Sequence, residues 1–232
     1  GHIARGGFTR SDGTLTGWNI TAFQPLVDKN GDTREFPHTD AEGLAMDADG
    51  RLNVSFEHAH RILRYDAWDA PAVWPSYTRS WRALARNGGL EALAIDAEGT
   101  LFTLPEEIAP GATEALVYRR KPNTRWEQPF TLPLTEGYKP TGADFGPDGR
   151  LYLLERGFFP PAFRSRVRSL SVTDTGVDDI RVLLETPLFT HGNLEGIAVW
   201  RDPAGQIRLT MISDDNFLPV LPSEIVEYIV TE

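Results

Sequence analysis

The stretch Asp40-Ala-Glu-Gly-Leu-Ala-Met-Asp-Ala-Asp-Gly-Arg-Leu52 decides the fold, because three further copies follow it. These are Gly89-Leu-Glu-Ala-Leu-Ala-Ile-Asp-Ala-Glu-Gly-Thr-Leu101, Lys139-Pro-Thr-Gly-Ala-Asp-Phe-Gly-Pro-Asp-Gly-Arg-Leu151 and Asn193-Leu-Glu-Gly-Ile-Ala-Val-Trp-Arg-Asp-Pro-Ala-Gly-Gln-Ile-Arg-Leu209. Aligned, they place Glu42, Glu91, Thr141 and Glu195 in one column, at steps of 49, 50 and 54 residues. Such a step is the length of a four-stranded propeller blade, a sheet that buries its faces by stacking on its neighbours. Each copy reads as strand, turn, strand. Gly43 to Met46 is short and apolar, as an inner strand would be, and Asp49-Gly50 turns the chain because glycine takes positive φ without steric cost. The pattern returns at Glu98-Gly99 and Asp148-Gly149, with a turn two residues longer at Asp202-Pro-Ala-Gly205. Arg61 to Tyr65, Ala115 to Arg119, Arg166 to Ser171 and Glu224 to Val230 are the expected third strands.

The expected structure is therefore all-β: one β-propeller domain over residues 1–232, five-bladed with an incomplete N-terminal blade, or else part of a six-bladed ring. Ser11-Asp-Gly-Thr-Leu15 already looks like the middle of a hairpin, and Gly1 stands where an initiator methionine would, which suggests a processed or trimmed chain. Residues 1–41 are then outer strands of an incomplete or ring-closing blade. A hydrophobic content of 41% over 232 residues suffices for a real core, and 21 Gly with 17 Pro suit a fold of many turns. Trp18, Trp68, Trp74 and Trp81 are expected to fill spaces between blades.

Charge narrows the partners. A net charge of −10 repels a phosphate backbone, so no nucleic acid is expected, and no apolar run is long enough for a membrane span. The absence of cysteine removes thiolate nucleophiles, disulfides and cysteine-bound zinc. Nucleophile elbows, phosphate loops and His-Glu-x-x-His are likewise missing. Asp28-Lys-Asn-Gly-Asp32 resembles the start of a calcium loop, but Phe36-Pro37 follows where a helix is needed, so a hairpin turn is expected. His58 and His60 stand at strand-alternation spacing with no third zinc ligand, which favours a surface or packing role.

Equivalent repeat positions become neighbours around a propeller axis, so the two acidic columns carry the functional reading. Glu42, Glu91 and Glu195 form the first, and either hold a cation or accept backbone hydrogen bonds from the next blade. Glu57, Glu106, Glu155 and Asp214 form the second, near the ends of the second strands. Crowded carboxylates need a neutralising cation, and hard oxygen ligands suit calcium. Arg86, Lys139 and Arg156 offer positive charge to an anion. The candidate metal ligands are thus Glu42, Glu91 and Glu195. The candidate catalytic groups are Glu106, Lys139, Glu155 and Arg156, and the candidate substrate contacts are Glu57, Arg86, Asn87, Asn193 and Asp214. This set fits a metal-assisted hydrolase of phosphate or carboxylate esters, acting as a monomer on a small anionic or ester substrate. A non-catalytic ligand- or protein-binding propeller is the alternative.

The runs Asp40-Ala-Glu-Gly-Leu-Ala45, Ser55-Phe-Glu-His-Ala-His-Arg-Ile-Leu-Arg-Tyr65, Arg86-Asn-Gly-Gly-Leu-Glu-Ala-Leu-Ala94, Leu153-Leu-Glu-Arg-Gly-Phe158 and Ile212-Ser-Asp-Asp-Asn-Phe217 together resemble the phytase-like propeller family described as having esterase-like activity of phytase. The resemblance covers about residues 10–232. It implies a secreted or periplasmic bacterial β-propeller and, by looser analogy, calcium-assisted hydrolysis of phosphate esters.

Overall fold

Five antiparallel sheets succeed one another along the chain in the computed structural model, which describes every residue except Phe36, Trp74, Ile108, Pro110, Val220 and Glu232. The first is a hairpin of β1 (His2–Ser11) and β2 (Thr14–Pro25), closed by Asp12 and Gly13, both at positive φ as a tight hairpin turn requires. The second joins β3 (Ala41–Met46), β4 (Leu52–Phe56) and β5 (Arg61–Tyr65). The third is β6 (Leu90–Ile95), β7 (Leu101–Pro105), β8 (Glu114–Arg120) and β9 (Glu127–Pro133). The fourth is β10 (Tyr138–Phe145), β11 (Leu151–Phe159), β12 (Ala162–Val172) and β13 (Val177–Glu185). The last is β14 (Asn193–Arg201), β15 (Ile207–Asp214) and β16 (Ile225–Ile229). The fold is a β-propeller, with each repeat supplying the first two strands of one blade.

Among the described residues, four strands per blade hold only for the two middle repeats. In the β3–β5 blade the fourth position is taken by isolated bridges from Ala72 to Tyr65 and from Ser76 to Ile62. Pro71 and Pro75 flank those bridges and cannot donate to a ladder, which keeps the segment from becoming a regular strand.

The core lies between blades. Inner strands touch in the order β3, β6, β10, β14, and each joint is filled by the facing sides of two sheets. Ala45 and Ile62 meet Leu90, Leu93 and Leu101; Ala92, Ala94 and Leu104 meet Ala143 and Leu153; Leu154 and Val167 meet Leu194 and Met211. Alternate side chains of one inner strand serve opposite joints, as period two requires: Leu93 faces the β3–β5 blade, Ala92 and Ala94 the β10–β13 blade. Glycine at Gly43 and Gly142 allows the close approach, since a Cβ there would lie 2.6 Å from the Glu91 carbonyl oxygen and 2.5 Å from that of Glu195. The hairpin packs Ile3 and Leu26 on the β3–β5 blade, but meets the last blade through charge: Arg10 pairs with Glu227 at 2.5 Å and lies over the Trp200 ring. Trp81 is buried between blades as expected, whereas Trp18 is exposed on the hairpin, and Trp74 lies outside the described residues.

The first two turns open two residues before the Asp49-Gly50 and Glu98-Gly99 pairs, and the fourth opens at Asp202 as expected. Asp47, Asp96 and Asp202 each accept backbone N–H groups two and four residues on with Oδ1, closing turns in which Gly50, Gly99 and Gly205 have φ near +80°. In the third repeat Gly146 replaces that aspartate and Asp148 accepts from Arg150 instead. Asp28 uses the same device toward Asn30 and Asp32, in a turn as expected.

Asp144, near the end of β10, accepts the N–H of Val199 at 2.7 Å and so struts two blades. Burial pushes its carboxyl up to about 6. The folded chain therefore holds a proton that the unfolded chain releases, and stability falls as pH rises from the ordinary carboxylate range through about 6. Asp144→Asn keeps an acceptor and removes the charge. It should stabilise the protein by on the order of 2 kcal/mol at pH 8 and by almost nothing at pH 4, read as melting temperatures of the two proteins.

Candidate functional site

Every inner strand breaks register at the acidic column. Leu90 pairs with Pro105 and Ala92 with Leu104, leaving Glu91 without a partner; Thr141 is skipped in the same way between β10 and β11, and Glu195 between β14 and β15. In β3 the break falls between Ala41 and Leu44, around Glu42. A bulge adds one residue, bends the strand and re-aims a side chain. Four bulges in four repeats turn Glu42, Glu91, Thr141 and Glu195 toward a shared cleft of about 950 Å³, which Phe8, Arg10 and Asp214 also line.

The second acidic column divides. Glu57, only 3% exposed, sits in the turn after β4, where the N–H groups of Gly88 and Gly89 both donate to its Oε1, the latter at 2.6 Å. Its carboxylate closes a trio with Glu42 and Glu91, each offering an oxygen within 4.8 Å of the others'. A second trio joins Glu57 to Asp40 and His58, whose Nε2 lies 3.1 Å from the Asp40 carboxylate. Glu106 and Glu195 instead hold Arg156 from opposite sides: Nη2 donates to Glu106, and Nη1 donates to Glu195 at 2.6 Å and to Asn193 at 2.7 Å. Asn193, fully buried, donates in turn to Glu195 at 2.7 Å. Arg156 lines a neighbouring trough of about 920 Å³ together with Glu106, Lys139, Phe158 and Phe163, and touches the axial cleft through its bond to Glu195.

Proton affinities follow the crowding. Burial, then the charges of Glu57 and Asp40, raise the Glu42 carboxyl above its ordinary range. Burial raises Glu91 further, with Glu57, Glu42 and Glu106 adding to it. Glu195 is raised by burial and drawn back down by Arg156. Hard carboxylate oxygens converging with no basic side chain hydrogen-bonded to Glu42 or Glu91, among the described residues, are a donor set that fits a divalent cation.

The remaining candidates fall in different places. The third oxygen donor beside Glu42 and Glu91 is Glu57, while Glu195, grouped with them from its column, is claimed by Arg156 and Asn193. Glu155 does not reach either cleft: it is 0% exposed, and Arg166 and Arg168 take both its oxygens. Lys139 pairs with Glu107 at the trough. Arg86 and Asn87 are exposed in the loop before β6, where the Arg86 carbonyl accepts the N–H of His58. Asp214 ends β15 and accepts the N–H of Asn216. His58 and His60 lie in the turn after β4, not in a strand, so alternation does not apply: His58 meets Asp40 and His60 meets the Ala85 carbonyl. Arg10, which no repeat signals, reaches the cleft from the hairpin.

No curated protein matches the chain. Similar solved structures include the nidogen/laminin complex (15% identity, 95% of this chain and 72% of that one, TM-score 0.48), streptogramin B lyase (12%, 89% and 75%, 0.43) and a luciferin-regenerating enzyme (17%, 82% and 62%, 0.46). Likeness at that level says nothing about reaction. No helix is long and apolar enough to cross a membrane among the described residues. The repeats, the bulged acidic column and the loop acids all fall within residues 2–217, which match the family described as "Phytase-like: Esterase-like activity of phytase", and the chain belongs to that family.

Proposed function

We propose that the axial cleft binds a divalent cation of the calcium type and hydrolyses phosphate or carboxylate esters. The observation that carries this is the trio Glu42, Glu57 and Glu91, whose oxygens converge within 4.8 Å, with no basic side chain hydrogen-bonded to Glu42 or Glu91 among the described residues. These three residues would hold the ion, which when bound polarises an ester oxygen and acidifies a water. Glu57 is fixed for this by the Gly88 and Gly89 amides, which both donate to its Oε1. Arg156 is poised to take the anionic end of a substrate, exchanging Glu106 or Glu195 for it and giving two parallel hydrogen bonds. Lys139, half-exposed, adds positive charge on the trough side. A three-carboxylate site completed by water suits the weaker calcium affinities, about 0.1–1 mM, of extracellular modules, in keeping with a periplasmic or secreted protein.

Calorimetric titration with calcium, followed by hydrolysis of para-nitrophenyl phosphate and para-nitrophenyl acetate with calcium or with chelator, tests this. Uptake in that range with calcium-dependent turnover of either ester is expected. Turnover indifferent to chelator would refute the metal role, and uptake without turnover would leave the propeller a binding module.

A further inference from the structure

A second cavity lies outside the axial site, between the β3–β5 blade and the segment that leads into it from the hairpin. It encloses about 330 Å³ and is walled by Leu26, Val27, Leu63 and Val73, with Tyr65 and Arg61 also lining it. Tyr65 is 1% exposed, yet its buried hydroxyl has no hydrogen-bond partner among the described residues. Buried hydroxyls are rarely left so, because the group has given up water for nothing. A cavity of this size sits at the lower end of the range for small-molecule sites.

The charges around the hydroxyl indicate what would satisfy it. Asp28 lines the same cavity: its Oδ1 accepts the N–H groups of Asn30 and Asp32, and its buried Oδ2 is ion-paired with Arg34, so that the Arg34 charge offsets its own. Arg61 is held in place by neutral groups only, donating to the carbonyls of Ala59 at 2.9 Å and His38 at 2.5 Å, with its guanidinium over the Phe56 ring at 4.2 Å. No carboxylate lies within ion-pair reach of Arg61 among the described residues, so its charge is uncompensated. The guanidinium is also near enough to Tyr65 for each to act on the other's ionisation.

We propose that this cavity binds a compact organic monocarboxylate, its carboxylate accepting hydrogen bonds from the Tyr65 hydroxyl and the Arg61 guanidinium, and its apolar body lying against Leu26, Val27, Leu63 and Val73. The site is independent of the axial cleft and of any ester hydrolysis there.

Fluorine NMR titration with para-fluorophenylacetate tests it, with para-fluorophenylacetamide as the uncharged counterpart. Saturable binding with a Kd on the order of 1 mM or tighter is expected for the acid, and binding at least about tenfold weaker for the amide. Tyr65→Phe and Arg61→Met should each weaken the acid about tenfold or more. In the unliganded state Tyr65→Phe should melt no lower than the parent, since it removes only an unpaired hydroxyl. This also guards the test against a variant that fails to fold. No saturable binding up to about 20 mM, equal binding by the variants, or a lower melting temperature for Tyr65→Phe would each overturn the proposal.

Discussion

Glu91→Gln is expected to raise the melting temperature of the metal-free protein while abolishing its stabilisation by calcium. The two effects have one cause. In the metal-free cleft, burial and the neighbouring charges of Glu57 and Glu42 hold the Glu91 carboxyl well above its ordinary range. Its folded form therefore binds a proton more tightly than its unfolded form, so stability declines as pH rises past the ordinary carboxylate range, and the cost persists at neutral pH. Glutamine keeps the shape and needs no proton taken up on folding, for a gain of at least about 1.4 kcal/mol, the equivalent of one pKa unit. On the proposed calcium binding, the parent should recover more than this when a cation replaces the proton, gaining about 2.7 kcal/mol at a calcium concentration of roughly one hundred times Kd. With one of three carboxylates gone, the variant should lose at least about two orders of magnitude in calcium affinity, as expected when a direct ligand is removed. Thermal melts of both proteins with calcium and with chelator give all four numbers. A variant that melts lower than its parent in chelator, or still gains stability from calcium, would show that Glu91 serves the blades and not an ion.

The blades were legible because they rest on local signals. Repeat spacing located the first two strands of each blade, and Arg61 to Tyr65 matches β5 residue for residue. The rudimentary edge of the β3–β5 blade was less so, though Pro71 and Pro75 carry the information. The acidic column was legible as a column but not as a set of bulges, because an extra residue in one strand is defined only against the partner strand. Partner choice was the hardest part. Nothing local says that Arg156 reaches Glu106, Asn193 and Glu195 on two other blades, or that Glu57 and not Glu195 completes the trio. Glu155 and Arg156 are consecutive in β11, so period two sends them to opposite faces, and of the two only Arg156 lines the trough.

The face that Glu155 does occupy yields the other large expected effect. Its Oε2 accepts from Arg166 Nε and Arg168 Nε, both at 2.8 Å, and its Oε1 accepts from Arg168 Nη2 at 2.6 Å, with all three side chains buried. Arg168 continues to the Pro133 carbonyl of the neighbouring blade at 2.9 Å, and Arg166 lies over the Tyr138 ring at 4.1 Å. Glu155→Gln would leave two buried guanidinium groups without a counter-charge, a situation that costs about 3–5 kcal/mol. For a chain of this length that is a fall of roughly 6–20 °C in melting temperature. Because the carboxylate is sealed behind the cleft wall, calcium affinity of the fraction that remains folded at low temperature should change by no more than about twofold. Any calcium-dependent ester turnover per folded molecule should likewise hold, whereas loss of an acid–base group costs about 10²–10⁴-fold. Parental stability combined with a loss of that size would move Glu155 from the scaffold to the chemistry. Lowered stability with undiminished cation uptake would confirm that the charge beside Arg156 in sequence serves the joint between blades.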